Sequence, residues 1–146
     1  MDNKISIKPL IIFDLQGTLV KRMRPPLLNG SVIKLKKLSQ LNTLAIFTGA
    51  SKTETINILK KLGIYDLFIP KNIITKGIFP QKPSPLAIKW LIEFNLAVTV
   101  TYVGDTNKDY LTAKNSVVSF ISVGFKKPGI TQISTVDDLL NVKINL

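Results

Sequence analysis

The stretch that decides the fold lies near the start of the chain and reads Leu10-Ile11-Ile12-Phe13-Asp14-Leu15-Gln16-Gly17-Thr18-Leu19-Val20. Residues 10–15 form an apolar run that is too short for a helix, which predicts a buried strand. The strand pattern ends at a carboxylate and a Gly-Thr pair. We therefore expect Asp14 at the carboxyl end of a buried strand.

Strand-like and helix-like segments alternate along the rest of the chain. The strand candidates are residues 43–47, 64–69, 73–75, 98–103 and 117–123. The helix candidates are residues 31–41, 51–62, 84–94, 107–115 and 136–140, and the tail after them is a further strand candidate. Residues 21–30 contain prolines and a glycine and are predicted to form a loop. The alternation predicts an α/β protein whose parallel sheet is covered by helices on both faces.

Length and composition place limits on the kind of protein. With 146 residues, of which 45% are hydrophobic, the chain is expected to fold as a single domain over residues 1–146. Its longest apolar runs are shorter than a membrane span, and its N-terminus lacks the order of a signal peptide, so a cytoplasmic protein without membrane partners is expected. The chain has no cysteine and no histidine. This excludes zinc–thiolate sites and histidine-dependent catalysis, and it leaves oxygen ligands and a hard cation such as Mg²⁺.

The formal net charge of +11 favours anionic ligands. The lysines are scattered rather than clustered with arginines and aromatic residues. Nucleic acid is therefore only a weakly supported partner.

Polar groups follow the predicted strands at the points where ligands bind in such sheets. Asp14 and Asp105 would repel each other at the ends of two apolar strands, and a shared Mg²⁺ would remove that repulsion. Asp109 could bind the metal or its waters. Each acid alone could equally be a loop or helix cap.

Three further residues suit a phosphate group. The Thr48 hydroxyl and the Gly49 backbone N–H could bind phosphate oxygens near the start of a helix. Lys82 could stabilise the charge of a phosphoryl-transfer transition state. The alternatives are an ordinary turn at residues 48–51 and a surface lysine at position 82.

Four motifs in this order resemble the haloacid dehalogenase superfamily over essentially the whole chain. They are residues 11–20, 46–51, 82–85 and 102–109. The resemblance implies a Rossmann-like three-layer α/β/α sandwich with a mainly parallel central sheet. It also implies an aspartyl-phosphate on Asp14, phosphate binding by Thr48 and Lys82, and a Mg²⁺ held by Asp105 and the Gln16 carbonyl with support from Asp109.

The sequence departs from the family pattern in two ways. Gln16 replaces the aspartate that family phosphatases use to exchange protons with the leaving group and water, and losing such help typically slows a reaction by about 10² to 10⁴. In addition, neither the loop after Asp14 nor the stretch at residues 68–82 is long enough for a cap domain, so an open site is expected. Capless members take macromolecular substrates or use a neighbouring subunit as a lid, which leaves a homo-oligomer open.

The leading prediction is a Mg²⁺-dependent phosphohydrolase or phosphotransferase acting on phosphate monoesters or acyl phosphates through Asp14. Gln16 motivates an alternative, a catalytically impaired phosphate- or partner-binding module. The net charge motivates another, an end phosphatase for nucleic acids. Residues 21–28 and 125–129 are candidate specificity loops near the active edge of the sheet.

Overall fold

The fold is known from a computed structural model, which describes residues 7–142. The strands are β1 (Leu10–Phe13), β2 (Thr43–Phe47), β3 (Ile73–Ile74), β4 (Val100–Gly104), β5 (Ser119–Val123) and β6 (Thr131–Ile133). The α-helices are α1 (Val32–Leu41), α2 (Lys52–Lys61), α3 (Leu86–Asn95) and α4 (Asn107–Ser116). Short 3-10 helices span Tyr65–Leu67, Pro70–Asn72 and Val136–Leu140.

The strands form one sheet in the order β3-β2-β1-β4-β5-β6, and every pairing in it is parallel. β1 lies in the middle, where Phe13 is paired with Ile46 of β2 and Val103 of β4. The carboxyl ends of these three strands therefore meet at one edge of the sheet. The polar residues that follow them are brought to the same place.

The alternation of β1 side chains between the two faces of the sheet explains the layered core. Ile11 and Phe13 pack in one apolar cluster with α1, α2 and the last 3-10 helix. Leu10 and Ile12 pack in a second cluster with α3 and α4. Both faces of the sheet are thus covered, and the predicted Rossmann-like α/β/α sandwich is confirmed.

The helix starts follow from their capping residues. The Ser31 hydroxyl accepts a hydrogen bond from the Lys34 N–H, and the Ser51 hydroxyl accepts one from the Glu54 N–H. Each bond satisfies one of the N–H groups that the first turn of a helix leaves unpaired. The predicted starts of α1 and α2 are confirmed.

One predicted strand is wrong, and one strand was not predicted. Residues 64–69 contain a 3-10 turn at Tyr65–Leu67 rather than a strand. Ile64 and Phe68 are buried while Asp66 between them is exposed, whereas all three side chains would share one face of a strand. The unpredicted strand is β6, in which only Ile133 is buried. The predicted strand in the tail lies mostly outside the described residues.

Within the described part of the chain, no helix is long and apolar enough to cross a membrane.

Candidate active site

Three carboxylates converge at the carboxyl edge of the sheet. Asp14 follows β1, Asp105 follows β4, and Asp109 lies in the first turn of α4. One carboxylate oxygen from each lies within 4.8 Å of the others. Because like charges at this distance repel, the cluster requires cationic or hydrogen-bonding partners.

Lys82 supplies one of these partners. Its ammonium donates to Asp14 Oδ1 and to Asp109 Oδ1, each at 2.8 Å. The same ammonium lies 5.3 Å from the centre of the Phe47 ring, so apolar surface shields it from water. Lys82 is therefore part of the site and not a surface lysine.

Asp109 is almost saturated with hydrogen-bond donors. Besides Lys82, the Tyr102 hydroxyl donates to Oδ1 at 2.8 Å. Oδ2 accepts from the Asp105 and Thr106 N–H groups and from the Thr106 hydroxyl. Burial alone would raise the pKa of Asp109, but the Lys82 charge and these hydrogen bonds outweigh it and hold the pKa below its usual value.

Asp14 has a different environment. Its second oxygen, Oδ2, is 3.5 Å from the Thr18 hydroxyl, which is a long contact. Burial, together with the nearby Asp109 charge, raises the pKa of Asp14 to about 7, although Lys82 opposes the shift. A cation at this carboxylate would favour its charged form.

Asp105 has two partners that the sequence did not reveal. The Thr18 hydroxyl donates to Oδ1 at 3.1 Å, and Arg22 donates to Oδ2 at 2.9 Å. Arg22 comes from the loop at residues 21–30, and its hydrogen bond to Asp105 raises its pKa. Gly17 lets these groups approach, because a Cβ at that position would collide with the Asp105 carboxylate. Arg22 and Asp105 lie far apart in the chain, so no local sequence pattern predicts their contact. The loop that carries Arg22 was, however, predicted to lie near this edge of the sheet.

The three predicted phosphate ligands line one small cavity. Thr48, Gly49 and Lys82 border a space of about 140 Å³, and Lys82 also contacts Asp14. Thr48 is buried, and its hydroxyl accepts a hydrogen bond from the Ala50 N–H at 3.1 Å. Its hydrogen atom is left to donate to a ligand oxygen. The arrangement can bind an anion of phosphate size.

The donor atoms also suit a hard cation. Two carboxylates, Asp14 and Asp105, lie close together, and Gln16 follows Asp14 by two positions in the chain. Within residues 7–142 this carbonyl accepts no backbone hydrogen bond, because the neighbouring Leu15 and Val20 carbonyls take the local N–H groups. An all-oxygen set with net negative charge matches the preference of Mg²⁺. Asp109, whose oxygens already have donors, fits a supporting position better than a direct metal ligand.

The chain matches one family model, described as haloacid dehalogenase-like hydrolase, over residues 24–123. The match covers more than half of the chain but begins after Asp14, so the first motif rests on the geometry given above. No curated protein matches the chain by sequence.

Three solved structures show the same fold. The core domain of a proposed phosphoglycolate phosphatase from Streptococcus pneumoniae is 26% identical, with a TM-score of 0.68 over 92% of this chain and 93% of that one. A HAD-superfamily hydrolase from Geobacter sulfurreducens is 13% identical, with a TM-score of 0.77 over 92% and 98%. A D,D-heptose 1,7-bisphosphate phosphatase from B. bronchiseptica, complexed with magnesium and phosphate, is 19% identical, with a TM-score of 0.68 over 91% and 98%.

The family match, the parallel sheet and the acidic cluster at its carboxyl edge agree with one another. The chain belongs to the haloacid dehalogenase-like hydrolases.

Proposed function

We propose that this chain is a Mg²⁺-dependent phosphohydrolase or phosphotransferase that acts on phosphate monoesters or acyl phosphates. The observation that carries the proposal is the position of Asp14, a buried carboxylate between Lys82 at 2.8 Å and the carboxylate of Asp105. The magnesium and phosphate held by the structurally similar heptose bisphosphate phosphatase support it.

In the proposed reaction, an Asp14 oxygen attacks phosphorus while the bond to the leaving oxygen breaks, which gives an aspartyl-phosphate. Thr48, Gly49 and Lys82 bind the phosphoryl oxygens and stabilise their charge in the transition state. Water then attacks the intermediate and releases phosphate. Asp109 does not react, and its bond to Lys82 holds the ammonium in position.

Asp14, Asp105 and the Gln16 carbonyl would hold Mg²⁺, with Asp109 supporting the site. The ion would neutralise charge on the carboxylates and on the phosphoryl group during transfer. Arg22 occupies part of the Asp105 carboxylate, so its side chain must move when a cation takes that oxygen.

Gln16 limits the proposed reaction to favourable leaving groups. An amide cannot give a proton to an alkoxide or take one from water near neutral pH. Acyl phosphates and aryl phosphates need less help, because their leaving groups are weaker bases. We therefore propose slow turnover of alkyl phosphates and faster turnover of acyl phosphates.

We also propose that the chain is a single core domain without a cap. The two segments where an inserted cap would have to lie are short: the loop after Asp14 and the stretch at residues 68–82. An open site admits water more freely than a closed one. It also admits larger substrates.

Gln16 favours a second candidate function, a phosphate- or partner-binding module that kept the fold without efficient turnover. This module would bind Mg²⁺ or phosphate through the same residues. It predicts no Asp14-dependent hydrolysis of any substrate.

The test is phosphate release from acetyl phosphate and p-nitrophenyl phosphate, with Mg²⁺ and after its removal by a chelator. Asp14→Asn should lower the rate by about 10⁴-fold, the scale for removing a central catalytic group. Asp66→Asn, an exposed acid in the 3-10 turn after α2, is the matched control and should leave the rate unchanged. Equal rates in wild type and Asp14→Asn would exclude the proposed function.

A further inference from the structure

A second and larger cavity adjoins the site. It has a volume of about 830 Å³ and lies between α2 and the loop at residues 22–26. Gln16 and Ser51 form part of its wall. These residues follow Asp14 and Thr48 by two and three positions in the chain, and another wall residue, Arg22, donates to Asp105, so the cavity adjoins the carboxylate cluster.

The two cavities differ in what they can hold. The space of about 140 Å³ beside Thr48 and Lys82 is below the range of about 300–1,000 Å³ that is usual for organic ligands. The space beside Gln16 falls inside that range. A third cavity, of about 590 Å³, shares Phe79 with the small one, but none of its lining residues hydrogen-bonds to the three carboxylates. In the cavity beside Gln16, by contrast, Arg22 donates to Asp105. The space beside Gln16 is therefore large enough for the organic part of a substrate whose phosphate lies at Asp14.

The charged side chains that line this cavity indicate which substrates it favours. Its cationic side chains are Arg22, Arg24 and Lys61, and the acid among its lining residues is Glu54. Arg22 stands at the boundary with the phosphate site, because it donates to Asp105 at 2.9 Å. Arg24 and Lys61 are exposed on opposite walls, one in the loop and one at the end of α2. The excess of positive charge favours an anion that the reacting phosphate does not supply.

We infer that the preferred substrates carry a second anionic group, a phosphate or a carboxylate, on a small organic leaving group that occupies this cavity. The inference rests on the proposed function. Apolar contact with the organic part of the substrate comes from Met23, Pro25, Pro26 and Ile58. Arg24 and Lys61 bind the second anion.

The test measures binding to Asp14→Asn, which avoids turnover of the probes, by calorimetry in the presence of Mg²⁺. Glycerol phosphate is the reference. Phosphoglycerate has a carboxylate in place of the hydroxymethyl group of glycerol phosphate, and glycerol bisphosphate has a second phosphate. We expect at least one of the two anionic probes to bind about tenfold more tightly than glycerol phosphate, the effect of two partly exposed charge contacts. The tighter of the two identifies the second anion.

The preference should disappear when Arg24→Gln and Lys61→Gln are added, and it should weaken as salt rises. Both side chains are exposed, so the substitutions should leave folding intact. Lys89→Gln, an exposed lysine on α3 at the opposite face of the sheet, is the matched control and should keep the preference.

Equal affinity for the three probes, or a preference that survives the double substitution, would overturn the inference. So would a phosphorylated oligonucleotide that binds more tightly than both small anions and depends on Arg24 and Lys61, because the occupant would then be nucleic acid. Failure of the proposed function is separate: it appears as missing Asp14-dependent phosphate release in wild type, whatever the order of probe affinities.

Discussion

The end of β1 and the first turn of α4 both carry a buried aspartate, but the hydrogen-bond partners of the two carboxylates differ. Asp109 in the turn accepts hydrogen bonds from Lys82, Tyr102 and Thr106, and its pKa lies below the usual value. Asp14 after β1 shares the same lysine but has only a long contact to Thr18, and its pKa is raised to about 7.

This difference in hydrogen bonding and pKa fits Asp109 for a supporting role and Asp14 for a reactive one. A carboxylate whose lone pairs are all engaged holds its neighbours in place but has none left to attack phosphorus. Asp14 retains an oxygen with weak partners, which suits a nucleophile. In the proposed reaction, the first turn of α4 therefore positions Lys82, and the end of β1 provides the reacting atom.

The largest expected gain in rate comes from placing a proton donor at the end of β1. Gln16→Asp should raise hydrolysis of an alkyl phosphate such as glycerol phosphate by about 10²-fold, and hydrolysis of acetyl phosphate by less. Steady-state phosphate release measures both rates. Gln40→Asp, which adds the same charge on the exposed side of α1, should have no effect. Equal gains for the two substrates would mean that Gln16 does not limit protonation of the leaving group.

The difference between the environments of Asp109 and Asp14 should appear in the stability of two matched variants. Asp109→Asn should lower the free energy of unfolding by about 3 kcal/mol, because an amide nitrogen would face donors in a buried pair. Asp14→Asn should not lower it, because the raised pKa of Asp14 means that the folded protein disfavours its charge, and because Lys82 keeps its bond to Asp109. Urea unfolding measures both values.

Asp138→Asn is the control for capping alone. Asp138 accepts from the Ser134 and Thr135 N–H groups as Asp109 does from its own turn, but no hydrogen bond from a lysine or tyrosine reaches it within the described residues. Its replacement should lower the free energy of unfolding by about 1 kcal/mol. If Asp14→Asn is as destabilising as Asp109→Asn, the distinction between the two regions is wrong.

The smallest expected effect concerns the Tyr102 hydroxyl. Tyr102→Phe should lower the free energy of unfolding by about 1 kcal/mol, because the buried Asp109 Oδ1 loses one of its donors and keeps Lys82. Tyr110→Phe is the control, since within residues 7–142 its hydroxyl makes no hydrogen bond, and it should change stability by less than about 0.5 kcal/mol. Equal losses in the two variants would show that the Tyr102 bond does not support Asp109.

The sequence predicted the sheet and most of the site because both depend on local patterns. Apolar runs that end in a polar residue placed Asp14, Thr48 and Asp105 at one edge once the strands were taken as parallel. Residues 64–69 were misassigned because buried residues four apart also look like a short apolar strand. β6 was missed because one buried side chain in three residues gives no alternation.

The partners of the carboxylates could not be predicted in the same way. Arg22 and Asp105 are far apart in the chain, and no spacing rule relates them. Tyr102 belongs to an apolar strand, so its hydroxyl looked like part of the core. Only the fold shows that this hydroxyl reaches Asp109.

Mass spectrometry can test directly whether Asp14 forms the proposed covalent phosphoryl intermediate. The chain would be incubated with Mg²⁺ and acetyl phosphate, quenched in acid and digested. Because Gln16 cannot activate water, the intermediate should hydrolyse slowly and accumulate, with the added phosphoryl mass on the peptide that contains Asp14 and absent in Asp14→Asn. A phosphoryl group on another residue, or turnover without any phosphorylated peptide, would contradict the account.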